Sequence, residues 1–297
     1  MSKLISAGFK RMFRLRSLYL CMAFIALQLT VNIIGESGQM NMHVGVTVTT
    51  DDVSKSVQDI LDTMQFTADS HISEVSFLLM IAAAIVIGNL IGSEHSFGTI
   101  RNKLTVGHNR TEIYFANFIV SLTAVLIMLV FGWAIIFGLA MPLGAKVVSP
   151  ADELITLFLL NVLYCLVITA IFVFMATNIL TKSTTLTMSI ILGGAALLFK
   201  VVIFNQLSQP EYYTPRSQIF DSEGRIIGEE NLDPIKNPMY IGGTRRVIYE
   251  TIDTLLPCSS VTEYSGEVNT VKVITEIGEL TFCTALGLFI FRRRDLK

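Results

Sequence analysis

Residues 75–91 read VSFLLMIAAAIVIGNLI, with no charged side chain, and run directly into GSEHSFGTIRNKLTVGHNR at 92–110. The first half approaches the roughly 20 predominantly apolar residues that carry a helix across a bilayer. The second half is polar, contains Arg101, Lys103 and Arg110, and is followed at once by another long apolar run. It is too short for a domain and too patterned for a simple turn. Where this pair of segments sits relative to a membrane decides the fold.

Composition supports a membrane reading throughout. Of 297 residues, 52% are hydrophobic and 15% charged, with a mean hydropathy of +0.60, whereas soluble domains carry roughly 25% charged residues. Six stretches qualify as spans: Ser17–Ile34, Val75–Ile91, Ile113–Met141, Ile155–Leu180, Thr184–Phe204 and Val271–Phe291. The third and fourth are long enough to tilt. The first has a basic flank like a signal peptide, but no small-residue cleavage site follows it and five further spans do, so it is read as retained.

Lys and Arg set the orientation. Lys3, Lys10, Arg11, Arg14 and Arg16 precede span one. Arg101, Lys103 and Arg110 lie between spans two and three, Lys182 between four and five, and Arg292, Arg293, Arg294 and Lys297 after six. The opposite side has Lys55 and Lys146 in its first two loops; the basic residues of its third loop, 205–270, count little because long loops translocate regardless of charge. The expectation is an all-α membrane protein of six transmembrane helices, located in the plasma membrane. Both termini are cytoplasmic, a short cytoplasmic helix lies in the 93–112 loop, and a small extracytoplasmic region separates helices five and six. The basic residues are divided among membrane flanks, so no nucleic-acid partner is expected; the bilayer itself is one.

Outside the spans, residues 1–16 form an amphipathic segment. Leu4, Ile5, Phe9, Met12 and Phe13 recur at helical spacing among Lys3, Lys10, Arg11 and Arg14, as in a helix on an anionic leaflet; a plain basic flank would look similar. In the 35–74 loop, Asp51 and Asp52 open a helical pattern of Val53, Val57, Ile60, Leu61 and Met64. In the 205–270 region, residues 218–227 read as a hairpin turning at Ser222-Glu223-Gly224. Arg245–Leu256 reads as an amphipathic helix, resting on the outer membrane surface or packed within a small external cap.

Cys21, Cys165, Cys258 and Cys283 lack metal spacing. So do His43, His71, His95 and His108, which read as surface residues. No G-x-x-x-x-G-K-[ST] phosphate loop, H-E-x-x-H or G-x-S-x-G occurs, so the chain is not expected to be an enzyme or to hydrolyse ATP alone.

In the 92–110 segment, Ser93 is a candidate N-cap with Glu94 in the first turn. Phe97, Ile100 and Leu104 fall on one helical face, Arg101 and Lys103 elsewhere, and Gly107 is a stop. Asn109 and Glu112 then have the spacing of a capping box for span three. Pattern alone fits either an elbow lying on the bilayer or a docking helix.

The order Glu94, Gly98-Thr99-Ile100-Arg101, then Asn109-Arg110 before a span resembles the cytoplasmic loop of ABC-2-type transporter permeases. The ending Gly287-Leu288-Phe289-Ile290-Phe291-Arg292-Arg293-Arg294-Asp295 is similar to that family's closing span and basic tail. The resemblance extends over the six-span order, the amphipathic amino terminus and the enlarged loop before span six; Gly107-His108 departs from it, standing where many relatives have a Pro-containing turn. It implies a permease that works as a dimer, with a second copy or a homologous permease, and with separate ABC ATPase subunits that hold ATP and Mg²⁺. No cofactor is implied in this chain. Phe97, Ile100 and Leu104 would enter a groove on the ATPase, with Glu94 and Arg101 fixing register beside Gly98, Thr99 and Arg110. The implied substrate is an amphipathic peptide, an antibiotic or another hydrophobic molecule. The competing reading is a membrane sensor or assembly scaffold whose external loops bind a ligand without transport.

Polar residues inside the spans complete the candidate sites. Glu276 and Glu279 share a face of span six, and Lys200 at comparable depth in span five is a candidate ion-pair partner. Asn89, Asn117 and Asn161 are candidate interhelical hydrogen-bond groups. Gly88 and Gly92 offer a close-packing GxxxG spacing.

Overall fold

A computed structural model describes residues 1–43, 67–179, 181–220, 226–231, 233–257, 261 and 266–293; for 38–43, 216–220 and 226–231 it describes the backbone alone. In chain order the helices are α1 (Ser2–Met12), α2 (Arg16–His43), α3 (Ile72–Ser96), α4 (Thr99–Thr105), α5 (Arg110–Ala140), α6 (Ala151–Asn178), α7 (Lys182–Leu207), α8 (Gly243–Thr254) and α9 (Thr270–Arg293). Among the described residues, six of them, α2, α3, α5, α6, α7 and α9, are long and apolar enough to cross a membrane. At 1.5 Å per residue each exceeds the roughly 30 Å of a hydrocarbon core. The helical pattern expected over 53–64, the tight turn at 222–224 and the tail from Arg294 lie outside the described residues.

Two compact units are distinguished, one of Met1–Ala195 with Pro257–Lys297 and one of Ala196–Leu256. In the first, α3 is the central helix. It packs against α2, α5 and α6, while α9 lies against α6 and α5 and α1 against α5. Small residues set the closest approaches. Gly132 of α5 admits Val75, whose Cγ1 would lie 2.9 Å from an added Cβ, and Gly8 of α1 sits against Val120. The Gly88/Gly92 pair does the same for the start of α7, with Leu186 over Gly88 and the Lys182 backbone over Gly92. The GxxxG spacing is therefore used within the chain, for close helix packing.

One end of this unit gathers Arg11, Glu94, Arg110, Lys182 and Phe291. At the other end, residues 67–71 meet the turn after α5. Ala68 N–H donates to the Lys146 carbonyl at 3.0 Å, and Asp69 accepts from the Val148 and Ser149 amides at 2.9 and 2.7 Å. His71 is fully buried here, contrary to the surface position expected for it, because Glu36 and Glu74 approach its ring nitrogens at 3.3 and 3.4 Å.

In the second unit, β2 (Arg216–Phe220) pairs antiparallel with β3 (Ile226–Asn231), as the hairpin pattern predicts. The short strands β1 (Tyr212–Tyr213) and β4 (Ile235–Lys236) pair outside them. Helix α8 exposes Val247, Ile248 and Ile252, as does Leu255 just after it, and buries Asp253. Asp253 forms an ion pair with Lys200 at 2.5 Å, both side chains being 2% exposed. This partner for Lys200 lies in α8, an element the spacing along the spans does not bring into consideration.

Candidate functional site

The polar segment 92–110 folds differently from its simplest periodic reading. Ser93 does not begin a helix. Together with Glu94 it continues α3, its hydroxyl donating back to the Leu90 carbonyl at 2.9 Å. The break falls five residues after Ser93, at Gly98, whose φ of +63° is a left-handed conformation that costs most residues strain and glycine little. A seven-residue helix, α4, follows, and it ends as expected at Gly107, with φ of +94°. There the His108 amide reaches back to the Lys103 carbonyl and the Gly107 amide to that of Leu104, which satisfies the last carbonyls of the short helix. The expected capping box does not form: Asn109 makes no side-chain cap bond, and Glu112 faces His108 Nδ1 at 3.3 Å instead.

Glu94 is the hub of this end of the bundle. Only 1% exposed, it meets Arg11 Nη2 of α1 at 2.6 Å, pairs with Lys103 Nζ of α4, and accepts from Asn117 Nδ2 of α5 at 2.9 Å. One carboxylate therefore joins α1, α3, α4 and α5. Taking a carboxylate out of water is tolerable only when charge and hydrogen bonds replace its hydration, and three donors do so here. Enclosed in this way, Glu94 does not present its charge to a partner. Asn117 acts as interhelical glue, in the role expected of it.

The apolar residues of the segment divide between inside and outside. Ile100 is 3% exposed and packs within the chain, and Leu104 is half-buried; Phe97 and Val106 are each 79% exposed. The outward apolar surface is thus Phe97 at the break and Val106 at the end of α4, not the Phe97–Ile100–Leu104 stripe. The reason is the break itself: Gly98 reorients α4 relative to α3, so a helical wheel drawn through residue 98 misplaces every residue after it. Arg101, also on α4, is exposed and Thr99 half-buried at the first turn of that helix. Arg110 turns away from this surface, its Nη1 donating to the Phe291 and Arg292 carbonyls at 3.0 and 3.3 Å, which caps the end of α9.

Deeper in the bundle, Ser76 Oγ donates to Asn161 Oδ1 at 2.7 Å, and Tyr164 donates to the Ser76 carbonyl at 2.9 Å. These bonds join α3 to α6, again as interhelical glue. Asn89 is half-buried in α3. On α9, Glu276 is 1% exposed and Glu279 half-buried. Among the described residues no group of three or more His, Cys, Asp or Glu side chains could hold a metal ion.

Three residues of these constellations escape a reading by spacing: Arg11, Lys103 and Asp253. Each was visible only as a charge on a partly apolar helix, and what selects it is a partner brought close by tertiary packing. No protein-family model matches the chain, and no curated protein matches it.

Proposed function

We propose that this chain is the membrane subunit of an ATP-driven exporter of the ABC-2 permease kind, worked from outside by separate ATPase subunits. The observation that carries the reading is a rigid, partly exposed lever between two spanning helices. Segment 97–106 is fixed to α1, α3 and α5 through the buried Glu94, yet leaves Phe97, Val106 and Arg101 exposed. Exposed apolar anchors on a segment that also carries an exposed cation suit a pocket on a partner protein. The loop's Glu94, Gly98-Thr99-Ile100-Arg101 and Asn109-Arg110 order, which resembles that of ABC-2 permeases, and the absence of a phosphate loop in the sequence fit an ATPase as that partner.

In this reading the loop and both termini face the cytoplasm of a plasma-membrane protein. A second permease, identical or homologous, completes the translocation path. ATP and Mg²⁺ bind between the ATPase subunits, not in this chain. Closure of the ATPase pair displaces Phe97 and Val106. Because Glu94 links four helices, the displacement moves α3 and α5 as stiff bodies instead of bending the loop alone. Cargo is an amphipathic peptide, an antibiotic or another hydrophobic molecule.

The test is purification of the native complex followed by reconstitution in proteoliposomes. The reading expects a phosphate-loop ATPase to co-purify in stoichiometric amount and ATP-dependent movement of an amphipathic cargo. A chain that purifies alone and binds ligands through residues 205–270 would favour a sensor or scaffold instead.

A further inference from the structure

Helix α8 carries two opposed stripes. Arg246, Glu250 and Asp253 recur at spacings of four and three, and so do Ile248, Ile252 and Leu255, the last just past the helix end. With 3.6 residues to the turn, the two sets lie on roughly opposite sides of the helix. The charged stripe is the engaged one. Arg246 Nε donates to Glu250 Oε1 at 3.0 Å, its guanidinium stands 5.4 Å from the centre of the Tyr240 ring, and Asp253 is buried against Lys200 of α7. Ile248, Ile252 and Leu255 are instead 52%, 41% and 58% exposed. A helix in a water-soluble cap does the reverse, burying its apolar stripe and leaving its charges in water.

The ion pair also fixes the level at which this face stands. Helix α7 is long and apolar enough to cross a membrane, and Lys200 lies seven residues before its last residue, Leu207. Seven residues are about 10 Å of axis, in a helix about 9 Å longer than a hydrocarbon core. Asp253, and the turn of α8 that carries it, is thereby held where hydrocarbon gives way to headgroups. At this level α7 buries Lys200 and Ile203 on one side and exposes Leu198 and Val202 on the other. Apolar surface exposed on a spanning helix faces lipid, so lipid borders this end of the 196–256 unit. A second protein would have to reach the α8 stripe at that depth, where phospholipid already is. Arg245, exposed and three residues before Ile248, ends the stripe with a cation, as interfacial helices do where they meet phosphates.

We infer that the Arg245–Ile248–Ile252–Leu255 stripe of α8 is a membrane-docking surface, seated among the phospholipids of the leaflet at the carboxyl end of α7. The amphipathic pattern alone leaves both an external cap and the membrane surface open, and the seating of Asp253 on Lys200 selects the membrane. The inference goes beyond the exporter reading and does not depend on it, since it requires only that α7 spans the bilayer.

The experiment reads tryptophan fluorescence in the full chain, reconstituted in vesicles of phosphatidylcholine and phosphatidylglycerol. Trp133 is the sole tryptophan, so Ile248→Trp and Glu250→Trp are each made with Trp133→Phe. Both positions are exposed, on opposite sides of α8. Phosphatidylcholine brominated near the headgroup end of its acyl chains should quench Ile248→Trp about twofold or more, and more strongly than lipid brominated near the chain ends, as befits a helix lying in the interface. Aqueous acrylamide should quench Glu250→Trp and spare Ile248→Trp. If the Trp133→Phe background does not fold, the same quantities are taken as differences from the parent chain with Trp133 retained. Equal access of acrylamide to the two positions would overturn the inference in favour of a solvent-facing helix. Shielding of Ile248→Trp from both acrylamide and brominated lipid would overturn it in favour of a protein partner, a second copy included. No ATPase is needed in the assay, so its outcome is separate from that of the exporter reading.

Discussion

Arg11 Nη2 lies 2.6 Å from the carboxylate of Glu94, which ties the first helix of the chain to the end of its most enclosed one. Lys103 and Asn117 converge on the same carboxylate. Removing Glu94 strands two cations and an amide at once. Glu94→Ala should cost about 3 kcal/mol, the low end for breaking a buried pair, because Arg11 is 30% exposed and regains some hydration. Glu94→Gln keeps an acceptor for Asn117 and should cost less than Glu94→Ala. Thermal unfolding in micelles checks the order wild type, Gln, Ala; an unshifted Ala variant would contradict the hub.

Gly98 needs its left-handed backbone but not its small size, since nothing lies within 4 Å of where a Cβ would stand. Gly98→Ala should therefore fold with a loss of about 1–2 kcal/mol from backbone strain alone. Gly98→Pro cannot take φ of +63° and also loses the hydrogen bond from its amide to the His95 carbonyl. The expected outcome is a protein that still inserts but no longer couples ATP hydrolysis to transport, read as ATPase activity without cargo movement. Full transport by a well-expressed Gly98→Pro protein would contradict a rigid lever.

Phe97 and Val106 separate docking from stability. Both are 79% exposed, so Phe97→Ala and Val106→Ala should change unfolding by no more than about 0.5 kcal/mol, as surface substitutions do. The double variant should nevertheless release the ATPase on size-exclusion chromatography. Ile100→Ala should behave oppositely and destabilise the chain by about 2 kcal/mol or more, because Ile100 is 3% exposed.

Ser76 and Asn161 hold α3 to α6 with a 2.7 Å bond. A double-mutant cycle between Ser76→Ala and Asn161→Leu should return a coupling of about 1 kcal/mol, in the range found for hydrogen bonds between membrane helices. Tyr164→Phe should add to Ser76→Ala almost independently, because its bond goes to the Ser76 carbonyl, which the alanine retains. Strong coupling there would show that the backbone of α3 shifts.

Much of the architecture was legible because spanning helices announce themselves by length and hydropathy; the stop at Gly107 followed from turn chemistry, and the hairpin read over 218–227 falls within the observed pairing of 216–220 with 226–231. The short helix was legible as an element but not in its detail. A helix start was read at Ser93 because Ser before an acid is a common cap, yet Ser93 bonds backward within α3 and Gly98 makes the break. That displacement moved Ile100 indoors and gave Val106 the outward position. Glu94, read from the sequence as fixing the register of a docking helix, is enclosed by Arg11, Lys103 and Asn117, and nothing in its spacing announces Arg11, far earlier in the chain. Lys200 likewise pairs with Asp253 across the 196–256 unit, a meeting produced by the fold of that unit and not by any local pattern.

The central claim is that segment 97–106 is where an ATPase grips this chain, and a photocrosslink at Phe97, with Val106 the most exposed apolar side chain of the segment, tests it most directly. With Phe97→p-benzoylphenylalanine in the native membrane complex, irradiation should join this chain to a subunit bearing a phosphate-loop motif. The yield should change between nucleotide-free and ATP-bound states. Crosslinks to lipid alone, with the ATPase present and active, would contradict the account.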